Sequence, residues 1–140
     1  MRKMVRVAAL TIDDEYDTIE GSRTVLDAAK KMKEVGIPDL VVMEGEKVLG
    51  IVTDYDITTR IVAEEKDPKT TSVTEAMYTI PTVTLRTSVE EALRILQEYS
   101  APIVPVLHAD KLKGVVSVQD CWSVIPENKW IQFERKSDEI

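Results

Sequence analysis

Two copies of one polar motif contain the residues of this sequence whose types and spacing could do chemistry. The copies are residues 50–56, GIVTDYD, and residues 114–120, GVVSVQD. Each has a glycine, two aliphatic residues, a hydroxyl residue, two variable positions and an aspartate. A carboxylate can accept hydrogen bonds from the vicinal hydroxyls of a ribose, and a hydroxyl beside free amides at a helix N-terminus suits a phosphate. Each copy therefore predicts a binding site for a polyol such as ribose.

A second pair of matched dipeptides could complete a pocket around such a sugar. Ile37-Pro38 and Ala101-Pro102 occur where a predicted helix ends and the next predicted strand begins, and each proline fixes the backbone there. A neighbouring backbone N–H and C=O, with Ile37 or Ala101 as an apolar wall, could recognise the edge of a base. With a base at one end and an aspartate at the other, a nucleoside fits between them.

The same residues also have a purely structural interpretation. Ser, Thr and Asp at a strand-to-helix junction commonly cap the helix, so Thr53, Asp56, Ser117 and Asp120 could be caps, ligand contacts or both. Catalysis is not expected, because Asp54 and Asp56 are two residues apart on a predicted helix and point to different sides. No nucleophile, general base or metal-ligand set accompanies them in the sequence. We therefore expect a binding protein and not an enzyme.

The two motifs belong to a longer internal repeat. A constant shift of 64 aligns residues 18–57 with residues 82–121 without a gap, and ten of the forty pairs are identical. Trp130 lies beyond the repeat, in a tail that we expect to pack on a neighbouring molecule or to begin a further element. The predicted boundaries are residues 1–66 for the first repeat, 67–126 for the second and 127–140 for the C-terminal tail.

Each repeat is predicted to fold in the order β-α-β-β-α. A Ser or Thr with an acid three residues later, Thr24 with Asp27 and Ser88 with Glu91, predicts a capping box at the first helix of each repeat. Apolar residues then recur at helical spacing, and a tight polar turn joins the next two strands into a hairpin. The second helix begins within the polar motif. The sequence thus predicts an α+β fold built from two copies of one unit.

Composition excludes several other functions. The 140 residues carry 18 Lys and Arg against 25 Asp and Glu, a net charge of −7, so a duplex nucleic-acid binder would work against its own field. The lone Cys121 and the lone His108 cannot supply the three or four ligands of a zinc site. No apolar run approaches the roughly 20 residues that span a bilayer. We expect a cytoplasmic protein with no nucleic-acid partner and no membrane contact.

The repeat, its element order and both Gly-aliphatic-aliphatic-Thr/Ser-x-x-Asp motifs resemble the tandem cystathionine-β-synthase-type (CBS) domain pair, or Bateman module. The resemblance covers about residues 5–125. It implies two copies packed about a pseudo-two-fold axis with two equivalent clefts, pairing into a homodimer, and regulation of an unidentified partner without catalysis or a required cofactor. The ligand that it implies is AMP, ADP or ATP, with S-adenosylmethionine also possible.

Carried over by position, the resemblance implies roles for individual residues. Asp56 and Asp120 would hold ribose hydroxyls, and Thr53 and Ser117 would contact ribose or phosphate. The aliphatic residues and the prolines would frame adenine, with help from the chain near Thr11. The predicted nucleotide-binding set is Ile37, Pro38, Ile51, Thr53, Tyr55, Asp56, Arg60, Tyr78, Pro81, Ala101, Pro102, Val115, Ser117, Gln119 and Asp120.

One departure from the family pattern bears on phosphate binding. Many phosphate-binding members have Ser or Thr directly before the motif aspartate, where this chain has Tyr55 and Gln119. Arg60 and Arg86 are the candidate basic partners instead. The first repeat also carries about three extra residues around residues 13–15, an acidic insertion that is expected to weaken or reshape one site.

The alternative function is that of a ligand-free protein-protein interaction module, which would act through its dimer surface and its Trp-bearing tail. Loss of the aspartate or the hydroxyl residue in one copy would favour this alternative, and neither is lost. The sequence therefore favours a regulatory module that senses an adenosine nucleotide.

Overall fold

The computed structural model describes residues 4–125, and these form two compact units. One unit is Glu15–Ile80, and the other joins the chain before Glu15 to the chain from Pro81 on. The predicted division after residue 66 follows the sequence repeat. Each compact unit combines one repeat with the segment that precedes the other repeat. The predicted tail, residues 127–140, lies outside the described residues.

The unit Glu15–Ile80 holds the first repeat in the predicted order. Its elements are β1 (Thr18–Glu20), α1 (Val25–Val35), β2 (Asp39–Glu44), β3 (Lys47–Thr53) and α2 (Asp54–Asp56). The sheet order is β1-β2-β3, with β1 parallel to β2 and β2 antiparallel to β3. After α2 the chain continues as a π-helix over Ile57–Val62, a geometry that often occurs near functional sites.

Helix α1 begins and ends at capping residues that the sequence provides. Thr24 Oγ1 accepts a hydrogen bond from the Asp27 N–H at 3.2 Å, and Asp27 Oδ2 accepts one from the Thr24 N–H at 3.2 Å, which completes the predicted capping box. Gly36 ends the helix at φ 80°, a left-handed conformation that glycine adopts without strain. The apolar face of α1 packs against the sheet to form one core. The buried residues of this core are Ile19, Val25, Ala28, Met32, Leu40, Val42, Val52, Ile61, Val73 and Ala76.

The second unit repeats this architecture. Its elements are β4 (Val83–Thr84), α3 (Val89–Glu98), β5 (Ile103–His108), β6 (Lys111–Ser117) and α4 (Val118–Trp122), in the sheet order β4-β5-β6. The predicted capping box of α3 is only half formed. Ser88 Oγ accepts from the Glu91 N–H at 3.1 Å, but the Glu91 carboxylate pairs with Arg94 at 2.7 Å. The α+β class and the β-α-β-β-α order are confirmed in both repeats.

Each repeat is closed by a segment that we call its strap: residues 71–78 on the first repeat and residues 5–12 on the second. Both straps hold the first helix of their repeat by its N-terminus. The Val25 N–H of α1 donates to the carbonyl of Thr71 at 2.9 Å, and the Val89 N–H of α3 donates to the carbonyl of Val5 at 2.9 Å. These bonds satisfy backbone donors that a helix leaves unpaired at its start.

The straps also cover the glycine of each polar motif. A Cβ atom added to Gly50 would meet Tyr78, and one added to Gly114 would meet Ile12, so Tyr78 and Ile12 occupy equivalent places. The segment that joins Ile12 to the start of the first repeat is two residues longer than the segment that joins Tyr78 to the start of the second repeat. The sequence predicted about three extra residues in the first of these segments. The acidic insertion therefore directly follows the strap of the second repeat.

Candidate functional site

The polar motif of the first repeat forms the junction between β3 and α2. Thr53 is the N-cap of α2, and Asp56 is the third helical residue and only 6% exposed. Asp56 Oδ2 accepts from the Thr53 N–H at 3.0 Å and from Thr53 Oγ1 at 2.9 Å, while Thr53 Oγ1 accepts from the Asp56 N–H at 3.1 Å. These bonds form a complete capping box and fix the carboxylate at the start of the helix.

The second repeat reproduces this geometry between β6 and α4. Asp120 Oδ2 accepts from the Ser117 N–H at 2.9 Å and from Ser117 Oγ at 3.1 Å, and Ser117 Oγ accepts from the Asp120 N–H at 3.3 Å. The capping interpretation is therefore correct for both motifs. Both boxes use only Oδ2 of the aspartate. Because Oδ1 takes no part in the box, capping does not exclude ligand binding.

A basic side chain accompanies the aspartate of the first repeat. Arg60 Nε lies 3.8 Å from Asp56 Oδ1, and Arg60 Nη1 donates to the carbonyl of Met77 at 2.9 Å. The strap thus anchors the guanidinium beside the carboxylate oxygen that the capping box does not use. Arg86, the other candidate basic partner, lies in the turn before α3, and its recorded contacts are made by its backbone. The structure brings Arg60 to its aspartate and does not bring Arg86 to Asp120.

An acidic side chain accompanies the aspartate of the second repeat. Asp14, from the insertion, lies beside Asp120, and a hydrogen bond between the two carboxyl groups when one is protonated, with burial and the charges of Asp120 and Asp13, raises the pKa of Asp14 to about 6. At Asp120 burial opposes ionisation, but hydrogen bonds from Asp14 and Ser117 outweigh it and lower the pKa. Asp14 Oδ2 is buried without a hydrogen-bond partner among the described residues. The insertion therefore places a further carboxyl group beside the motif aspartate of the second repeat.

Tyr78 covers the first junction through its backbone and its ring. Its backbone N–H and C=O pair with those of Ile51, both at 3.0 Å. The phenol oxygen is buried and has no partner within residues 4–125. Burial, with the negative charges of Asp56 and Asp39, raises the pKa of Tyr78 to about 12. Tyr78 therefore stays protonated, with one O–H free to donate to an incoming acceptor.

The backbone groups expected to recognise a base edge are partly in use. The carbonyl of Pro38 accepts from the Asp54 N–H at 2.9 Å, and the N–H of Ala101 donates to the carbonyl of Leu96 at 2.9 Å. The Ala101 N–H therefore cannot donate to a base without first losing its bond, whereas the Pro38 carbonyl keeps a second lone pair that can accept one. Ile37 remains a partly buried apolar residue packed against the core of the first repeat, which is compatible with its predicted role as a wall.

The other residues of the predicted set divide by exposure. Tyr55 is 72% exposed, so its ring has little contact with the junction in this chain. Buried within their own units are Ile51, Ala101 and Val115. Exposed at the surface are Pro38, Tyr55, Pro81, Pro102 and Gln119.

A surface pocket of about 420 Å³ opens beside Asp120, a volume within the range of small-molecule sites. It lies between the strap of the second repeat and the chain that follows β6. Its lining residues are Ala9, Leu10, Thr11, Asp13, Asp120, Ser123 and Val124. The sequence points to Asp120, Thr11 and the insertion, but not to the other members, because no local pattern indicates that the strap packs beside α4.

Residues 4–125 contain no group of three or more His, Cys, Asp or Glu side chains that could hold a metal ion. None of their helices is long and apolar enough to cross a membrane. Cys121 is buried, and burial, with the charge of Asp120, raises the pKa of its thiol to about 12.

Comparison with known proteins relates these features to a family. Residues 7–63 and 73–121 each match the CBS domain. The uncharacterized protein YlbB of Bacillus subtilis is 36% identical over 114 residues, which are 79% of this chain and 75% of that protein. Hypoxic response protein 1 of Mycobacterium tuberculosis is 30% identical over 128 residues, which are 90% of this chain and 85% of that protein.

Solved structures agree with the sequence matches. A CBS-domain protein from Burkholderia ambifaria, assigned to signal transduction, is 34% identical with a TM-score of 0.69, over 81% of this chain and 85% of that one. A crystal structure of Hypoxic Response Protein I, with two coordinated zinc ions, is 25% identical with a TM-score of 0.75, over 87% and 100% of the two chains. The two family matches take in both polar motifs, and this chain therefore belongs to the CBS domain family, as a tandem pair of the kind that serves as a regulatory module.

Proposed function

We propose that this chain is a regulatory module that binds an adenosine nucleotide at a strand-to-helix junction and catalyses no reaction. The ligand is AMP, ADP or ATP, with S-adenosylmethionine as a further candidate. The observation that carries the proposal is the matched aspartate of the two junctions, in which Oδ2 is used by the capping box and Oδ1 is not. A carboxylate already fixed by the fold can accept ribose hydroxyls at little cost in side-chain entropy.

The residues around each aspartate support a division of labour. At the first junction, Oδ1 of Asp56 accepts a ribose hydroxyl, Arg60 offers its guanidinium to a phosphate, and Ile37 forms an apolar wall for the base. The second junction offers Asp120 and the pocket beside it. A ligand that prefers one arrangement of the module shifts the population toward that arrangement only by its difference in affinity, and this shift is the signal that a regulated partner protein receives.

Titration calorimetry on the full chain tests the proposal with AMP, ADP, ATP and S-adenosylmethionine. The variants are Asp56→Asn and Asp120→Asn, because an amide oxygen can keep the capping bonds while the charge is lost. The matched control is Asp110→Asn in the exposed turn between β5 and β6. Loss of a charge-assisted hydrogen bond should weaken binding at the altered site about ten- to a hundredfold. Unchanged binding in both site variants would exclude the ribose assignment.

The alternative is a ligand-free interaction module. One observation favours it: the hydroxyl residue and the aspartate of each motif form a complete capping box, which gives these residues a structural role of their own. This alternative predicts that no adenosine compound binds below millimolar concentration. The same titrations therefore separate the two functions.

The assembly and the location of the module belong to the same proposal. Tyr55 and Val62 are 72% and 62% exposed. These two large apolar side chains support pairing of the module into a homodimer. We place this homodimer in the cytoplasm. The domain boundaries proposed for it remain residues 1–66 and 67–126, followed by the tail. Sedimentation velocity on the chain and on Tyr55→Lys tests the dimer, which the substitution should weaken.

A further inference from the structure

We propose that the two junctions select ligands of different charge: the pocket beside Asp120 takes an adenosine-type nucleoside without a phosphate, and Asp14 is the residue that rejects the phosphorylated form. The inference rests on the proposed function, because it assumes that Asp120 receives a ribose. It adds which chemical class of ligand each repeat accepts, and which side chain makes the difference.

The lining of the pocket carries the first step. Two carboxylates, Asp13 and Asp120, and two hydroxyl residues, Thr11 and Ser123, line it, and the remaining lining residues are apolar. The lining contains neither Lys nor Arg. Hydroxyl and carboxylate oxygens accept hydrogen bonds from the hydroxyls of a sugar, whereas a phosphate bears about 1.5 to 2 negative charges at neutral pH. The pocket therefore suits a neutral sugar and opposes a phosphate.

Asp14 strengthens this opposition although it does not line the pocket. It lies beside Asp120, and its pKa of about 6 leaves it ionised at pH 7.5. Three aspartates, Asp13, Asp14 and Asp120, therefore lie in one small region. The contact between Asp14 and Asp120 also loses its shared proton when both are ionised, so a ribose hydroxyl can donate to Asp120 in place of Asp14.

The first junction supplies the contrast within the same chain. Its capping box has the same bonds as the second box, but the nearest charged neighbour of Asp56 is Arg60, with 3.8 Å between Nε and Oδ1. The strap holds that guanidinium through the carbonyl of Met77. A phosphate next to a ribose at Asp56 would meet a positive charge, whereas a phosphate next to a ribose at Asp120 would meet two further carboxylates.

Adenosine and AMP provide a matched pair of probes, because they differ only in the 5′ phosphate. Calorimetry at pH 7.5 is done on the full chain with Asp56→Asn, which weakens the first junction, and on the same chain with Asp14→Asn added. Asp110→Asn is the control, since it removes one equal charge from an exposed turn whose backbone conformation, φ 62°, asparagine tolerates. Thermal unfolding of each variant verifies that it is folded.

We expect the Asp56→Asn chain to bind adenosine more tightly than AMP. Adding Asp14→Asn should raise the affinity for AMP about tenfold and change the affinity for adenosine less than threefold. Asp110→Asn should change neither affinity. If Asp14→Asn reduces folding, Asp13→Asn offers the same comparison from an exposed position and should tighten AMP in the same direction. Equal affinities for AMP and adenosine, or equal effects of Asp14→Asn on both, would overturn the inference alone. If neither adenosine nor AMP binds the unmodified chain while ADP, ATP or S-adenosylmethionine does, this inference fails alone; if none of the five compounds binds, the proposed function fails with it.

Discussion

The glycines of the two polar motifs should differ sharply in what an added methyl group costs, although they occupy equivalent places in the repeat. A Cβ on Gly50 would lie 2.2 Å from the carbonyl oxygen of Tyr78 and 3.0 Å from its carbonyl carbon. A Cβ on Gly114 would lie 2.6 Å from Cγ2 of Ile12. The first contact is with backbone, and the second is with a methyl group on Cβ of Ile12, which can move if χ1 of that side chain changes. Gly50→Ala should therefore be much more destabilising than Gly114→Ala.

The magnitude follows from the bonds that the strap must give up. To accommodate the methyl group, the carbonyl of Tyr78 must move away, and that carbonyl accepts from the Ile51 N–H at 3.0 Å while the Tyr78 N–H donates to the Ile51 carbonyl at 3.0 Å. Two weakened backbone hydrogen bonds cost about 1 kcal/mol each, and overpacking adds roughly 1–3 kcal/mol. Replacing a strand glycine recovers about 0.5–1 kcal/mol. Gly50→Ala should thus lower the free energy of unfolding by about 2–4 kcal/mol.

At Gly114 the obstacle is smaller. Moving Cγ2 of Ile12 away requires a change of χ1 in a β-branched side chain, which costs about 0.5–1.5 kcal/mol. Because replacing the strand glycine recovers about 0.5–1 kcal/mol, Gly114→Ala should change the free energy of unfolding by less than about 1 kcal/mol. Urea unfolding of the two variants and the unmodified chain, followed by circular dichroism, measures both numbers. The reasoning is refuted if Gly114→Ala is as destabilising as Gly50→Ala, because the distinction between a backbone and a side-chain obstacle would then have no energetic consequence.

Three further predictions concern Asp14, Cys121 and the helix caps. Because the pKa of Asp14 is raised to about 6, the folded chain keeps a proton between pH 3.8 and about 6 that the unfolded chain releases. This proton contributes about 1 kcal/mol to the free energy of unfolding after solvent screening. The contribution is fully present below pH 3.8 and is lost as the pH rises through 6. Urea unfolding between pH 4.5 and 7.5 should show this loss in the unmodified chain and not in Asp14→Asn, and parallel profiles would contradict it. The Cys121 thiol, with its pKa of about 12, should react with maleimide only after unfolding, so rapid labelling of the native chain would show that it is not buried. Thr24→Ala, which removes a complete capping box, should lower the free energy of unfolding by about 1–2 kcal/mol, and Ser88→Ala should lower it by less; the reverse order in urea unfolding would refute the assignment.

The local elements of the fold could be predicted because local patterns determine them. Thr24 and Asp27 cap α1 as their spacing requires, and Gly36 ends it. The half-formed box of α3 shows the limit of such patterns. Glu91 has the correct spacing for the box, yet Arg94 lies three residues further along the same helix and takes its carboxylate. A capping motif states which bond can form, and a charged neighbour at helical spacing can compete for it.

Contacts between distant segments could not be predicted in the same way. The repeat alignment identifies equivalent residues, but it does not say which repeat each strap closes. The contact between Asp14 and Asp120 depends on this exchange, because the segment before the first repeat packs on the second. The acidic insertion was visible in the sequence as a departure from the repeat. The motif that the insertion approaches depends on the packing of residues 5–12 against the second repeat, which the sequence does not indicate.

The two junctions suggest which part of such a motif is constrained by folding. The bonds between the hydroxyl residue and Oδ2 of the aspartate have nearly the same lengths in both repeats, 2.9–3.0 Å at Asp56 and 2.9–3.1 Å at Asp120. The neighbouring side chains have opposite charge, since Arg60 lies beside Asp56 and Asp14 lies beside Asp120. The capping box is therefore the same in both repeats, whereas the charge beside it differs. Two intact motifs in one chain therefore indicate two equivalent helix starts, and they do not by themselves indicate two equivalent ligands.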